Sequence, residues 1–167
     1  QYFMFTVKAE SNALLALSMQ VGQTDANAYI IEIGAEDNMK TTIHKVGEDP
    51  HSVDSQGILS GMESRAFWIT MEDNKIVLGK GHTPGSDVVI TKDTPDAWLI
   101  KSISIASSNS KVAQWSFASS IGHDIIQETA TEDTDYEYST WKSVTSSKSF
   151  VFQVKTGQNA NIILSNK

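Results

Sequence analysis

Apolar residues alternate with polar ones along most of the chain, and this pattern constrains the fold more than any other feature. Near the start, Phe3, Phe5 and Val7 occupy every second position. Successive side chains of a β-strand point to opposite faces of a sheet, so a period of two predicts strands with one buried face. The runs are rich in β-branched and aromatic residues, which favour strands. We therefore predict an all-β fold, an antiparallel β-sandwich that resembles a jelly roll.

The predicted strands are short and follow one another at intervals of about 8–12 residues. They are expected at residues 3–7, 15–17, 29–33, 41–46, 67–71, 75–79, 87–91, 99–106, 112–118, 136–144 and 150–155. Polar residues at 72–75, between two of these runs, predict a hairpin. The only helix expected is a single turn near residues 55–62.

Residues 2–18 are repeated, with the same spacing, at residues 149–165. The identical pairs are Phe3 and Phe150, Phe5 and Phe152, Val7 and Val154, Lys8 and Lys155, Asn12 and Asn159, Ala13 and Ala160, Leu17 and Leu164, and Ser18 and Ser165. A fixed internal offset indicates a repeated structural unit. We therefore predict a β-sandwich domain over 1–120, an acidic loop or linker with a strand over 121–147, and a hairpin over 148–167. This hairpin either begins a second copy or is a strand pair that completes or assembles the fold.

The bulk composition excludes several classes of function. The 167 residues carry a formal net charge of −7, which disfavours nucleic acids and anionic membrane surfaces. No apolar run approaches the roughly 18 residues of a membrane-spanning helix, so no membrane insertion is expected. The chain has no Cys and hence no disulfide, thiol nucleophile or thiolate metal site. Gln1 in place of Met suggests a processed N-terminus, which favours an extracellular location over the cytoplasmic alternative.

The motifs of common enzymes are missing from the sequence. There is no G-x-S-x-G elbow and no H-E-x-x-H spacing among the four histidines. The apolar run 30–33 ends in Gly34, as a strand does before a glycine-rich cofactor loop, but the second and third glycines are missing. We therefore expect a non-catalytic protein without an organic cofactor.

Residues 122–137 contain six acidic residues and no Lys or Arg, which is typical of a solvated loop. A calcium site formed by Asp133, Asp135 and Glu137 is the alternative. This run lacks the glycine and the distant Glu of a helix-loop-helix calcium loop. Oxygen ligands gathered from several loops leave no sequence signature, so calcium remains an open possibility.

A few residues suit recognition of a ligand. Glycines flank His82 and indicate an open loop tip, where binding residues are common. Trp98 follows a loop-type sequence, and an aromatic ring beside carboxylates suits a sugar, whose apolar face stacks on the ring. The predicted ligand-binding residues are His82, Asp87, Asp93, Asp96 and Trp98.

Three other features have structural interpretations. Trp68 and Trp115 lie in predicted strands and are expected in the core. His44 also lies in a strand, where an imidazole with satisfied hydrogen bonds is more common than a ligand. The spacing of Glu63 and Arg65 predicts an ion pair that fixes a turn.

The order of the motifs resembles that of the farnesoic acid O-methyltransferase domain of arthropods and other invertebrates. The matching segments are FMFTVKAESNALLALS, YIIEIGAEDNMKTTIHK, GILSGMESRAFWI, NKIVLGKG and VAQWSF, which lie between residues 2 and 117. The segment with Ile58, Leu59, Ser60, Glu63 and Arg65 is the most specific of them. The sequence departs from the family at 34–35, where members more often have a second glycine and a tryptophan.

The resemblance implies a domain that often occurs in tandem copies. The family name implies methyl transfer to a terpenoid acid, whereas occurrence beside lectin-like modules in extracellular proteins implies binding. We predict a carbohydrate-binding module that uses loops at one end of the sandwich. The alternatives are a carrier of a small hydrophobic molecule such as a terpenoid or pigment, an assembly subunit that forms homo-oligomers or contacts a neighbouring repeat domain, and the enzyme of the family name.

Overall fold

The computed structural model describes residues 2–19, 27–95, 97–100, 102–107, 112–117, 125–130 and 142–144. For residues 98, 125–130 and 142–144 it describes the backbone alone. The strands are β1 (Tyr2–Ala9), β2 (Ala13–Ser18), β3 (Tyr29–Gly34), β4 (Lys40–Lys45), β5 (His51–Asp54), β6 (Arg65–Glu72), β7 (Lys75–Lys80), β8 (Val88–Asp93), β9 (Ser102–Ser107), β10 (Val112–Phe117), β11 (Ile125–Ala130) and β12 (Lys142–Val144).

The strands form two six-stranded sheets in which every described pairing is antiparallel. Sheet A has the order β11-β10-β1-β6-β7-β8, and sheet B has the order β12-β9-β2-β3-β4-β5. The predicted all-β antiparallel sandwich is confirmed. The predicted hairpin is also confirmed, because Glu72 pairs with Lys75. Asp73 and Asn74 between them both have positive φ, as a tight two-residue hairpin turn requires.

The core lies between the sheets and contains the inward side chains of both. An aromatic cluster of Phe3, Phe5, Phe67, Trp115 and Phe117 fills part of it, with ring centroids 5.3–6.4 Å apart. Aromatic pairs at such distances stabilise a core beyond their burial alone. The prediction that Trp115 is a core residue is therefore confirmed.

The prediction of a helical turn near residues 55–62 is wrong. These residues form turns and bends. Ile58 N donates to Ser55 O at 3.1 Å, which closes one turn, and other backbone bonds tie the segment to the β3–β4 loop. Ser55 N donates to Met39 O at 2.8 Å, and Gly57 N donates to Asn38 O at 2.8 Å. Gly57 also has a φ of +69°, which a right-handed helix cannot accommodate.

The described helical segments lie elsewhere, as α1 (Ala35–Asn38) and a 3₁₀ turn (Ala97–Leu99). The 3₁₀ turn explains why the strand predicted at 99–106 begins only at Ser102. No helix in the described ranges has the length and apolar character that a membrane crossing requires.

Two strands have no counterpart among the predicted runs. β5 is short and its residues are largely exposed, so it lacks the apolar alternation that marks a strand. β11 lies in the acidic segment 121–147 and pairs with β10, so this segment contributes two strands, β11 and β12, to the sheets. The hairpin predicted over 148–167 lies outside the described residues.

Candidate ligand-binding surface

Trp68 is the largest side chain on the outward face of sheet A. Its neighbours Phe67 and Ile69 point into the core, so Trp68 points outward, and yet it is only 1% exposed. Its indole Nε1 donates to Lys80 O at 3.2 Å and to Ser86 O at 3.0 Å. Trp68 was expected in the core; it is buried, but beneath a loop outside the sheets.

The loop that covers Trp68 connects β7 to β8 and comprises residues 81–87. Gly81 N donates to Ala66 O at 2.8 Å, and Lys80 N donates to Asp87 O at 2.9 Å. Gly81, Gly85 and Asp87 have positive φ, which allows the chain to fold back over the sheet. We call these residues the β7–β8 loop. The loop packs over the outward face of sheet A and forms a ridge there, which we call the wall.

Beside this wall lies a row of four outward side chains, one from each of four neighbouring strands. The register pairs Tyr2 with Thr70, Thr70 with Val77, and Val77 with Thr91. Tyr2 is 62% exposed, and the other three are partly exposed. We call Tyr2, Thr70, Val77 and Thr91 the outer row. It presents one phenol ring, two aliphatic hydroxyl groups and one aliphatic side chain on an open face.

A charged rim borders the outer row on the side away from the loop. Glu72, Lys75 and Asp93 lie there, again in register across β6, β7 and β8. Lys75 Nζ is 3.9 Å from Asp93 Oδ1, and the Asp93 side chain is 84% exposed. Exposed pairs of this kind contribute about 0–1 kcal/mol to stability, so both groups are available to a ligand.

The structure separates those of the predicted binding residues whose side chains it describes. His82 and Asp87 lie in the β7–β8 loop, both exposed, whereas Asp93 lies at the opposite end of β8. They therefore do not meet at one end of the sandwich, but they border the outer row from its two long sides. Asp96 and the side chain of Trp98 lie outside the described residues.

The outer row was missed by sequence reasoning. Alternation shows that Tyr2, Thr70 and Val77 point away from the apolar positions of their strands. It does not show which strands are neighbours, and that information places these side chains side by side.

The segment most specific to the family resemblance has a structural role at one end of the sandwich. Ile58 and Leu59 are buried and close the core there. Asn38 Nδ2 donates to Leu59 O, and Leu59 N donates to Asn38 Oδ1, both at 3.0 Å. Ala9 N donates to Ser60 O at 3.0 Å. The segment therefore ties the β3–β4 loop and the end of β1 together at this end of the sandwich.

The loop after Gly34 is filled by this same segment. A Cβ on Gly34 would lie 2.6 Å from Leu59 Cδ1, so the missing side chain makes room for Leu59. Glu36, Asp37 and Asn38 all have left-handed backbone angles, so α1 is a left-handed turn. Packing against Leu59 therefore accounts for a glycine at position 34, and no cofactor is needed to explain it.

The predicted ion pair at this end is confirmed, with Arg65 Nη2 3.4 Å from Glu63 Oε2. Both side chains are exposed, so the pair is worth about 0–1 kcal/mol and does little to fix the turn.

The described ranges contain no group of three or more His, Cys, Asp or Glu side chains placed to hold a metal ion. Asp133, Asp135 and Glu137, the suggested calcium ligands, lie outside the described residues.

His44 lies on the outward face of sheet B, next to Ile30. Its Nδ1 is buried and has no hydrogen-bond partner among the described residues. Burial is the main cause that lowers the pKa of His44 below 6.5; the Lys92 ammonium lowers it further, and Glu48 opposes the change. The folded protein therefore favours neutral His44.

We expect the protein to lose stability as the pH falls below about 6.5, the unfolded pKa of histidine. The reason is that the unfolded chain then binds a proton at His44 more readily than the folded chain does. His44→Gln should show a smaller decrease in the free energy of unfolding between pH 7.5 and pH 5, measured by urea titration. The exposed His82→Gln is the matched control. An equal decrease in wild type and His44→Gln would contradict the assignment.

Comparison with known proteins agrees with the motif order. A search of curated proteins and a search of solved structures found no match. The family model described as farnesoic acid O-methyl transferase matches residues 1–120, which is more than two thirds of the chain. The matched region includes β1 to β10, and thus the outer row, the β7–β8 loop and the segment around Leu59. The chain therefore belongs to the farnesoic acid O-methyltransferase family.

Proposed function

We propose that the protein is a non-catalytic extracellular module that binds carbohydrate on the outward face of sheet A. The observation that supports this most directly is the outer row, an exposed aromatic ring in register with two hydroxyl-bearing side chains. The surface differs from the end loops predicted from sequence, although His82, Asp87 and Asp93 border it.

The chemistry of the outer row suits a sugar ring. Tyr2 offers an aromatic face on which the apolar face of a pyranose stacks, and Val77 extends the apolar area. Thr70 and Thr91 can each donate and accept a hydrogen bond. Asp93, on the rim, accepts hydrogen bonds from sugar hydroxyls, and bonds to a charged acceptor are the stronger kind.

The alternative functions have less support from the described residues. A carrier of a hydrophobic molecule needs a cavity of about 300–1,000 Å³. The aromatic cluster occupies the part of the interior where Phe5, Phe67 and Trp115 meet. An assembly role depends on residues 148–167, which lie outside the described residues. The methyl transfer in the family description would require a methyl-donor site, and the loop after Gly34 is packed against Leu59.

A glycan array with the full chain tests the proposal. We expect a discrete set of glycans to be retained. Tyr2→Ala should weaken binding about tenfold, equivalent to about 1.4 kcal/mol, because it removes the ring face that the sugar would bury, and buried apolar surface contributes about 25 cal/mol per Å². Met62→Ala is the matched control, since Met62 is 89% exposed on a loop at one end of the sandwich.

Two results would refute this function. One is that no glycan is retained by the wild-type chain. The other is that Tyr2→Ala and Met62→Ala retain glycans as well as wild type does, which would place any binding away from the outer row.

A further inference from the structure

The shape of the outer row limits what kind of carbohydrate fits it. Its four residues come from β1, β6, β7 and β8, which are neighbours in sheet A. Neighbouring strands lie about 4.8 Å apart, so the row from Tyr2 to Thr91 is about 14 Å long. This length exceeds a single sugar ring and runs perpendicular to the strands.

Both long sides of the row are bounded. On one side the β7–β8 loop covers the next row, which contains Trp68 and Gly79. On the other side lies the rim of Glu72, Lys75 and Asp93. Over β6, β7 and β8, a branch that projects sideways from a bound ligand would meet one or the other, whereas a ligand extended along the row meets neither.

The charges around the row disfavour an acidic ligand. The rim contains two carboxylates and one ammonium group, and that ammonium, on Lys75, already lies near Asp93. Across the row, Asp87 adds a carboxylate on the loop, and the neighbouring Lys80 adds an ammonium group. A polyanion would therefore face three carboxylates and two ammonium groups, still more negative than positive charge.

We propose that the outer row binds an unbranched, neutral oligosaccharide that lies across β1, β6, β7 and β8, with sugar rings on Tyr2 and Val77 and hydroxyls bonded to Thr70 and Thr91. This inference rests on the proposed carbohydrate-binding function. Beyond that function, it specifies that the carbohydrate is longer than one sugar ring, unbranched and uncharged.

Calorimetric titration of the full chain tests it with two probe series, linear β-1,4-linked oligomers of glucose and of N-acetylglucosamine. We expect affinity for at least one series to rise roughly tenfold or more with length and to level off once the oligomer spans about 14 Å. A linear polyuronate and a branched mannan should bind much more weakly.

Thr91→Ala provides the positional test because Thr91 lies at the far end of the row from Tyr2. We expect this variant to lower the affinity for the long oligomers about fivefold, because one hydrogen bond is lost. The affinity for the disaccharide should not change. Thr6→Ala is the matched control: Thr6 lies on the same face of β1 and pairs with Ala66 and Ser116, outside the row.

The outcomes separate this inference from the function on which it rests. Equal affinity for all lengths, tighter binding of the polyuronate or the branched mannan, or equal effects of Thr91→Ala and Thr6→Ala would overturn the inference alone. Failure of both linear series to bind, while the array retains other glycans, also overturns it and leaves the proposed function standing. Failure to bind any glycan overturns both.

Discussion

Gly79→Ala should destabilise the protein by about 3 kcal/mol or more. A Cβ at this position would lie 2.1 Å from Trp68 Cζ2 and 2.3 Å from Cε2, far inside van der Waals contact. Trp68 cannot move aside easily, because its Nε1 bonds to Lys80 O and Ser86 O hold it beneath the loop. Overpacking a buried site costs about 1–3 kcal/mol, and each lost indole hydrogen bond about 1 kcal/mol more. Urea unfolding measures the change.

The control for this variant is Gly81→Ala, two residues further along. Gly81 has a φ of +88° and no atom within 4 Å of an added Cβ, so its substitution introduces backbone strain without a clash. Such strain costs about 1–2 kcal/mol. If Gly79→Ala were no more destabilising than Gly81→Ala, close contact between Trp68 and Gly79 would not exist in solution.

Displacement of Trp68 also has a functional consequence. The β7–β8 loop is held over sheet A by the indole, so Gly79→Ala should release the wall beside the outer row. Under the proposed carbohydrate-binding function, glycan binding by the folded fraction should then fall, which the array detects at a temperature where the variant remains folded.

Asn38→Ala should lower the free energy of unfolding by about 3 kcal/mol, the second large effect that we expect. The side-chain amide bonds to both the N–H and the C=O of Leu59, and Leu59 is buried. Each buried backbone group left without a partner costs about 1–3 kcal/mol. Ala at a φ of 66° adds the strain of a left-handed residue, which Asn tolerates better. Chemical denaturation again provides the measurement.

Asn38→Gly separates the two causes, because glycine adopts left-handed angles without strain. It removes the same two hydrogen bonds, so it should remain destabilised, by about 1 kcal/mol less than Asn38→Ala. Wild-type stability of Asn38→Gly would show that the bonds to Leu59 contribute nothing.

Local features could be predicted from the sequence. The alternation of β1 and the polar residues at the turn after Glu72 depend on neighbours in the chain, and both were interpreted correctly. The burial of Trp115 followed in the same way, since it occupies an apolar position in an alternating strand. The motif order by itself indicates the family.

Features that depend on contacts between distant residues could not be predicted. The prediction of a helical turn near 55–62 is wrong because Ser55 N and Gly57 N donate hydrogen bonds to the β3–β4 loop. No local sequence pattern indicates these bonds. The candidate surface was placed at the loops for a similar reason: loop composition marks His82, whereas nothing in the sequence near Tyr2 marks it as a neighbour of Thr70.

The amino-acid sequence alone determined that this chain forms strands and packs them as a sandwich, because side-chain alternation and strand preference act over a few residues. The tertiary structure alone decided that Tyr2 and Thr91, which are distant in sequence, lie in one row, and that Trp68 anchors a loop above the sheet. The physical reason is that strand order and register are set by the joint packing of all strands in the two sheets, and a shift of one residue would turn every one of these side chains to the other face.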